Sequence, residues 1–228
     1  MRTYARISLG KDSSGRDCVV NRRTKQMLDA AETELGAPLT VVQGSYRAGS
    51  GAAASAATHD GGGVVDIRTW DLPARGLNVG DVVRELREVG FAAWYRTKAQ
   101  GFDPHIHAVA IGDKQLHPSA AAQVTAYRKG RNGLASNGPD DGPKVSFRTW
   151  EQTQTPEVSV HFMRNAWERD RRRKTGLHPI QTRRVQRALG FQLRTGRWGR
   201  ATRARFGDGG PTEATLRALG RGKFRVVD

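Results

Sequence analysis

T-H-D-G-G-G-V-V-D, residues 58–66, is the stretch on which the reading of this chain turns. Three glycines separate a histidine from an apolar run that ends in a carboxylate. His59 and Asp66 are seven residues apart, too far for one helical turn. The spacing predicts a loop that turns back into a strand, with His59 on the loop and Asp66 inside V-V-D-I. A carboxylate buried in such a strand is costly unless it is paired, and metal ligation would satisfy it. Farther along, F-D-P-H-I-H at 102–107 supplies His105 and His107, which on a strand face the same side. One of them can bind metal while the other faces a substrate. S-Y-R at 45–47 adds Arg47 upstream, and Asp103 lies beside the two histidines. Imidazole and carboxylate are the ligands of catalytic zinc, three from the protein with the fourth position left to water. Together the three pieces point to a mononuclear zinc site of the hydrolytic kind.

The flanking sequence predicts the scaffold. Residues 3–9 alternate as an opening strand, and Asn21 caps a helix over 22–35 that Gly36 closes. Met27, Leu28, Ala31 and Leu35 form its buried face. L-T-V-V-Q at 39–43 reads as a strand delivering Ser45-Tyr46-Arg47, and the small, turn-rich residues 48–58 as a loop rimming a cleft. A helix starts at Asn78 or Asp81 and ends at Gly90. Residues 91–96 and 105–111 are strands, the latter central because its non-ligand positions are mostly apolar. Pro118 opens a short helix through Arg128. Trp94 and Tyr95 either line a cleft or pack the core, and His117 and His161 fall outside the constellation.

At 228 residues the chain has room for one or two domains with a real core. One cysteine, Cys18, excludes an internal disulfide and a cysteine-based zinc knuckle, and reads as inert. No run reaches the roughly 18 apolar residues of a membrane span. The opening M-R-T-Y-A-R-I-S-L-G-K-D lacks the apolar core of a signal peptide, so synthesis in the cytoplasm is expected. The net charge of +16 is uneven: residues 1–135 carry +5 and residues 136–228 carry +11. Such a surface attracts any polyanion, whether nucleic acid, anionic membrane or wall polymer.

Residues 131–157 are punctuated by N-G, N-G-P and D-G-P, which places a linker at 136–157 between domains at 1–135 and 158–228. Arg-rich helices follow. V-S-V-H-F-M-R-N-A-W-E-R-D (158–170) sets Val160, Met163, Ala166 and Trp167 on one face, and R-D-R-R-R-K reads as a solvated helix end. I-Q-T-R-R-V-Q-R-A-L-G-F (180–191), R-T-G-R-W-G-R-A-T-R-A-R-F (194–206) and a closing P-T-E-A-T-L-R-A-L-G complete the chain.

The first constellation resembles the zinc D-alanyl-D-alanine carboxypeptidase and L-alanyl-D-glutamate endopeptidase family, which includes many phage endolysins and shares its fold with the hedgehog signalling domain. The family pattern S-x-H-x-x-G-x-A-x-D is met by His59, Gly62 and Asp66, with Ala57 in place of Ser and Val64 in place of Ala. Its S-G-Y-R-S segment corresponds to Ser45-Tyr46-Arg47. The resemblance implies zinc ligation by His59, Asp66 and His107, and an Arg47 that holds the substrate or the oxyanion. Many members carry their general base as an acid three residues before the last histidine, where this chain has Pro104. The nearest acid, Asp103, is four before, and P-H-I-H-A resembles the H-x-H variant of hedgehog domains and some murein endopeptidases. The base role therefore stays divided between His105 and Asp103.

The C-terminal stretch resembles a small three-helix peptidoglycan-binding domain. Val185, Gln186, Leu189 and Gly190 match the first half of its motif, and Gly196, Trp198, Gly199 and Thr202 the second. The segment after Phe206 is shorter than in the family. Together the resemblances imply an α+β protein, with a small antiparallel-sheet zinc peptidase domain followed by a small three-helix domain. The expected activity is hydrolysis of amide bonds in the peptide stems or cross-links of bacterial peptidoglycan. The expected protein is a monomer that meets the wall after lysin-like release or non-classical export, with anionic wall polymers as further partners. Two other classes remain: a non-catalytic zinc protein of wall-binding or signalling type, and a basic nucleic-acid-binding protein. The second lacks interleaved stacking aromatics among its basic residues.

Overall fold

The computed structural model describes residues 3–12, 15–48, 57–154, 157–160, 163, 164, 167, 206, 210–220 and 225–227. The chain divides into two compact units, residues 1–153 and 154–228.

In the first unit, β1 (Arg6–Lys11) and β2 (Asp17–Asn21) form an antiparallel hairpin that runs directly into α1 (Arg22–Leu35). Both ends of α1 are set locally. The Asn21 side chain accepts a hydrogen bond from Thr24 N at 2.8 Å, and Gly36 leaves the helix at φ 72°. Next come β3 (Val41–Gln43), β4 (Val64–Arg68), α2 (Val79–Glu88), β5 (Phe91–Arg96) and β6 (His105–Ala110). The helices α3 (Pro118–Arg128) and α4 (Trp150–Thr153) complete the unit. Asn78, not Asp81, caps α2. The four later strands form one antiparallel sheet in the order β3-β4-β6-β5, so β6 is central as its apolar composition predicts.

The two faces of this sheet have different partners. Val65, Ile67, Phe91, Ala93, Ile106, Ala108 and Ala110 belong to the main core with Met27, Leu28, Ala31 and Leu35 of α1 and Val82, Val83 and Leu86 of α2. The alternate residues Val64, Ala92, Trp94 and Val109 pack with Ala120 and Tyr127 of α3. Period-two alternation puts Asp66 and His107 on this second face, beside α3.

Residues 136–153, most of the predicted linker, pack on the first unit instead. Asp140 accepts from the buried Arg87 Nη2 at 2.9 Å, and the Pro143 carbonyl accepts from Arg87 Nη1. Glu151 receives Arg23 through two hydrogen bonds, of 2.8 and 3.0 Å. The punctuation turns only in part, with Asn137 N on Leu134 O at 2.8 Å and Gly142 N on Asp140 Oδ1 at 3.1 Å; residues 131–153 form a strap folded back over the sheet, and the boundary falls after Thr153.

In the second unit, β7 (Glu157–Ser159) pairs in parallel with β8 (Arg225–Val227), and α5 spans Glu213–Gly220. The helix predicted over 158–170 therefore yields its first two residues to a strand, because the chain end pairs with them. Val160, Met163, Arg164 and Trp167 are helical, and Met163, Trp167, Phe206, Leu216 and Val226 are buried. The segment 180–191 and, apart from Phe206, the segment 194–206, with every motif residue from Val185 to Thr202, lie outside the described residues, as do residues 49–56 of the predicted rim loop. Among the described residues no helix is long and apolar enough to cross a membrane.

Candidate metal centre

The loop before β4 is held by backbone on both sides. Arg47 N donates to His59 O at 2.9 Å and Tyr46 N to Gly61 O at 2.8 Å, which Tyr46 allows by turning at φ 61°. On the other side Gly62 N donates to Gln115 O at 2.7 Å. A Cβ at Gly61 would lie 2.3 Å from Gln115 O and 2.4 Å from His117 N, so the 115–117 backbone fits only against glycine. Gly63 enters β4 at φ 80°. Ser45 ties the loop's exit, accepting from Val64 N and donating to Val64 O. The glycines thus seat His59 against the sheet.

Strand register supplies the other groups. Asp66 of β4 stands opposite His107 of β6, which stands opposite Trp94 of β5. One ligand atom from each of His59, Asp66 and His107 lies within 4.8 Å of the others, and the three residues are buried. His107 Nδ1 is 2.8 Å from Asp66 Oδ1, and His59 Nε2 is 3.3 Å from Asp66 Oδ2. The outward nitrogens also meet acceptors: His59 Nδ1 donates to Gly44 O at 2.8 Å, and His107 Nε2 to Gln123 Oε1 at 2.9 Å. A neutral imidazole has one hydrogen to give. With both outward nitrogens donating, a protonated ring also donates inward to the carboxylate, whereas each neutral ring has its one lone pair aimed at it. A cation among the three groups satisfies all of them, so this donor set fits a metal ion.

The titration of the three groups is coupled through Asp66. Burial pushes the Asp66 carboxyl up, but the charge of His59 and hydrogen bonds from both histidines hold it well below the usual carboxylate range. Burial pulls His59 down, yet the charge and hydrogen bond of Asp66 and the Gly44 carbonyl raise it overall, against the opposing charge of Arg47. At His107 burial prevails and the ring is held below its ordinary value.

His105 lies on the same face, one row from His107, with Nε2 3.7 Å from Asp66 Oδ1. Its Nδ1 donates to the backbone carbonyl of Asp103 at 2.7 Å, and Phe102 meets its ring edge-on at 5.9 Å between centroids. The Asp103 carboxylate is exposed, so Asp103 meets His105 through its main chain. Arg47 is nearly buried, and its guanidinium lies 3.8 Å from Asp12 Oδ2 on the β1–β2 hairpin. Tyr95 is exposed, whereas Trp94 is buried with its ring stacked on His107 at 6.3 Å and 20°. His117 caps α3, accepting from Ser119 N.

Two groups near the centre, Gln123 and Arg96, escape sequence reasoning, and a third, Trp94, is left there between cleft and core. Gln123 of α3 accepts from His107, Trp94 stacks on it, and Arg96 lies in the His105 row with its Nη1 on the Asn132 carbonyl at 2.8 Å. Burial pushes the Arg96 guanidinium down to about 10, which leaves it charged at neutral pH. A glutamine sixteen residues after His107 carries no motif signal. Only α3 crossing the open face brings it there. Comparison with protein-family models, with curated proteins and with solved structures returned no match.

Proposed function

We propose that this chain is a zinc-dependent peptidase acting on amide bonds in the peptide stems or cross-links of bacterial peptidoglycan. The observation that carries the reading is the convergence of His59, Asp66 and His107 on one buried point of the sheet, with His105 Nε2 beside it. Two imidazoles and one carboxylate suit zinc better than the oxygen-seeking magnesium or calcium. Zinc held there would supply Lewis acidity, acidifying water and polarising the amide carbonyl.

The remaining roles fall to the chain's own groups. His105 gives its Nδ1 hydrogen to Asp103 O, so its Nε2 lone pair is free to take a proton from the attacking water and pass it to the leaving amine. Asp103 orients that ring through its carbonyl. Arg47, drawn toward Asp12, supplies positive potential behind His59. The peptidoglycan substrate rests on the family resemblance of the sequence, and the charge of +16 favours an anionic wall.

Release of new amino groups from purified sacculi, with and without a zinc chelator, tests the reading. Chelator-sensitive release that zinc restores is expected, and His59→Ala should abolish zinc uptake and release together. Full activity in that variant would refute the site. A second reading, a zinc site serving wall binding without turnover, is favoured by the exposed Asp103 carboxylate. Zinc-loaded protein that binds sacculi yet releases nothing would support it.

A further inference from the structure

We propose that Gln123 is a positioning residue for the metal centre. It accepts the Nε2 hydrogen of His107 and so presents Nδ1, the nitrogen facing Asp66, as the metal-binding atom. The inference rests on the metal reading above.

The geometry determines which end of the amide faces the ring. Gln123 Nε2 donates to the Gly133 carbonyl at 3.3 Å, and a carbonyl only accepts. Oε1 therefore points at His107 Nε2, 2.9 Å away, and an oxygen there demands a hydrogen on that nitrogen. His59 is fixed in the opposite sense, with its Nδ1 hydrogen on Gly44 O and Nε2 turned inward. Each ligand thus owes its inward lone pair to an acceptor behind it.

Gln123 is itself held by the strap. Three successive carbonyls reach the same wall of the site: Arg131 O accepts from Trp94 Nε1 at 3.2 Å, Asn132 O from Arg96 Nη1 and Gly133 O from Gln123. Gly133 turns at φ 68°, and a Cβ there would come within 3.3 Å of the Trp94 ring. The strap therefore orients both the ring stacked on His107 and the amide bonded to it.

Zinc dissociation constants, from competition with a chromophoric chelator on the full chain, test the role in wild type, Gln123→Ala, Gln123→Glu and His59→Ala. Gln123→Ala should weaken zinc binding about 10- to 100-fold. Gln123→Glu keeps an acceptor and should bind at least as tightly as wild type. The visible spectrum of the cobalt-substituted protein should change in Gln123→Ala and return in Gln123→Glu. Where Gln123→Ala does not fold, Gln123→Met, of similar length but without the acceptor, takes its place. Wild-type affinity and spectrum in Gln123→Ala, with zinc lost in His59→Ala, would overturn the positioning role and leave the metal reading standing. A wild-type chain that takes up neither zinc nor cobalt would overturn both.

Discussion

Asp66 shares its oxygens unevenly, Oδ1 with His107 Nδ1 at 2.8 Å and Oδ2 with His59 Nε2 at 3.3 Å, while Oδ1 also lies 3.7 Å from His105 Nε2. One carboxylate therefore faces three rings, and two of those have their outward nitrogens committed to backbone carbonyls. Another residue shows the same control by surroundings with the opposite chemical result. Cys18 is buried in β2, and burial, then the charge of Asp12, push its thiol up to about 11 against the pull of Arg47. An ordinary thiol ionises near 8.5, and only the thiolate reacts. At pH 8 the folded protein should therefore alkylate with iodoacetamide at least about a hundredfold more slowly than the denatured chain. The rate should climb with pH toward 11. Equal rates in the two states would refute the burial argument and reopen Cys18 as a reactive group.

The glycine loop shows what an element needs beyond its motif. Gly61 lets backbone approach backbone, and Gln115 O and His117 N cannot withdraw without moving the whole 113–117 turn. Gly61→Ala should cost roughly 2–3 kcal/mol by overpacking, and on the proposed zinc reading should weaken zinc binding because His59 hangs from the same loop. Gly101 is the control: φ is +84° there but nothing lies within 4 Å of a built Cβ. Gly101→Ala should cost only the backbone strain, about 1 kcal/mol, with zinc affinity unchanged. Thermal melts and zinc titrations of both variants decide the matter, and equal losses would count against the close-approach reading. His59 and Asp66 were legible from spacing and Gly62 from the family resemblance, but Gly61 looks like any other glycine until the 113–117 turn is seen against it.

At the scale of the molecule, the strap closes the first unit. Ending the chain after residue 135 removes Asp140 and the Pro143 carbonyl, leaving the Arg87 guanidinium buried without its carboxylate. Breaking a buried pair in this way costs about 3–5 kcal/mol, a large part of the roughly 5–15 kcal/mol that holds a domain together. Residues 1–135 alone should therefore unfold at much lower urea, or not fold. Residues 1–153, which keep Asp140 and the Glu151–Arg23 pair, should match the first transition of the whole chain. Identical midpoints for the two fragments would show that residues 136–153 contribute nothing. Asn-Gly and Asp-Gly report a reversal of the chain, and a reversal in a strap has the same local sequence as one in a linker.

The amino-acid sequence determined what local rules encode. Asn21 and Gly36 bound α1 because caps act within one turn, and period-two alternation puts Asp66, His105 and His107 on one face of the sheet. The small-residue run after His59 likewise marks a loop feeding β4. Only the tertiary structure decided which nitrogen of each imidazole faces inward, because those acceptors, Gly44 O and Gln123 Oε1, come from segments remote in the chain. It alone chose the carbonyls of residues 131–133 as the wall behind Trp94 and Gln123, and it alone paired Glu157–Ser159 with Arg225–Val227. Every residue carries the same carbonyl, so side-chain chemistry cannot announce which one will be used. The packing of α3 and the strap over the sheet makes that choice.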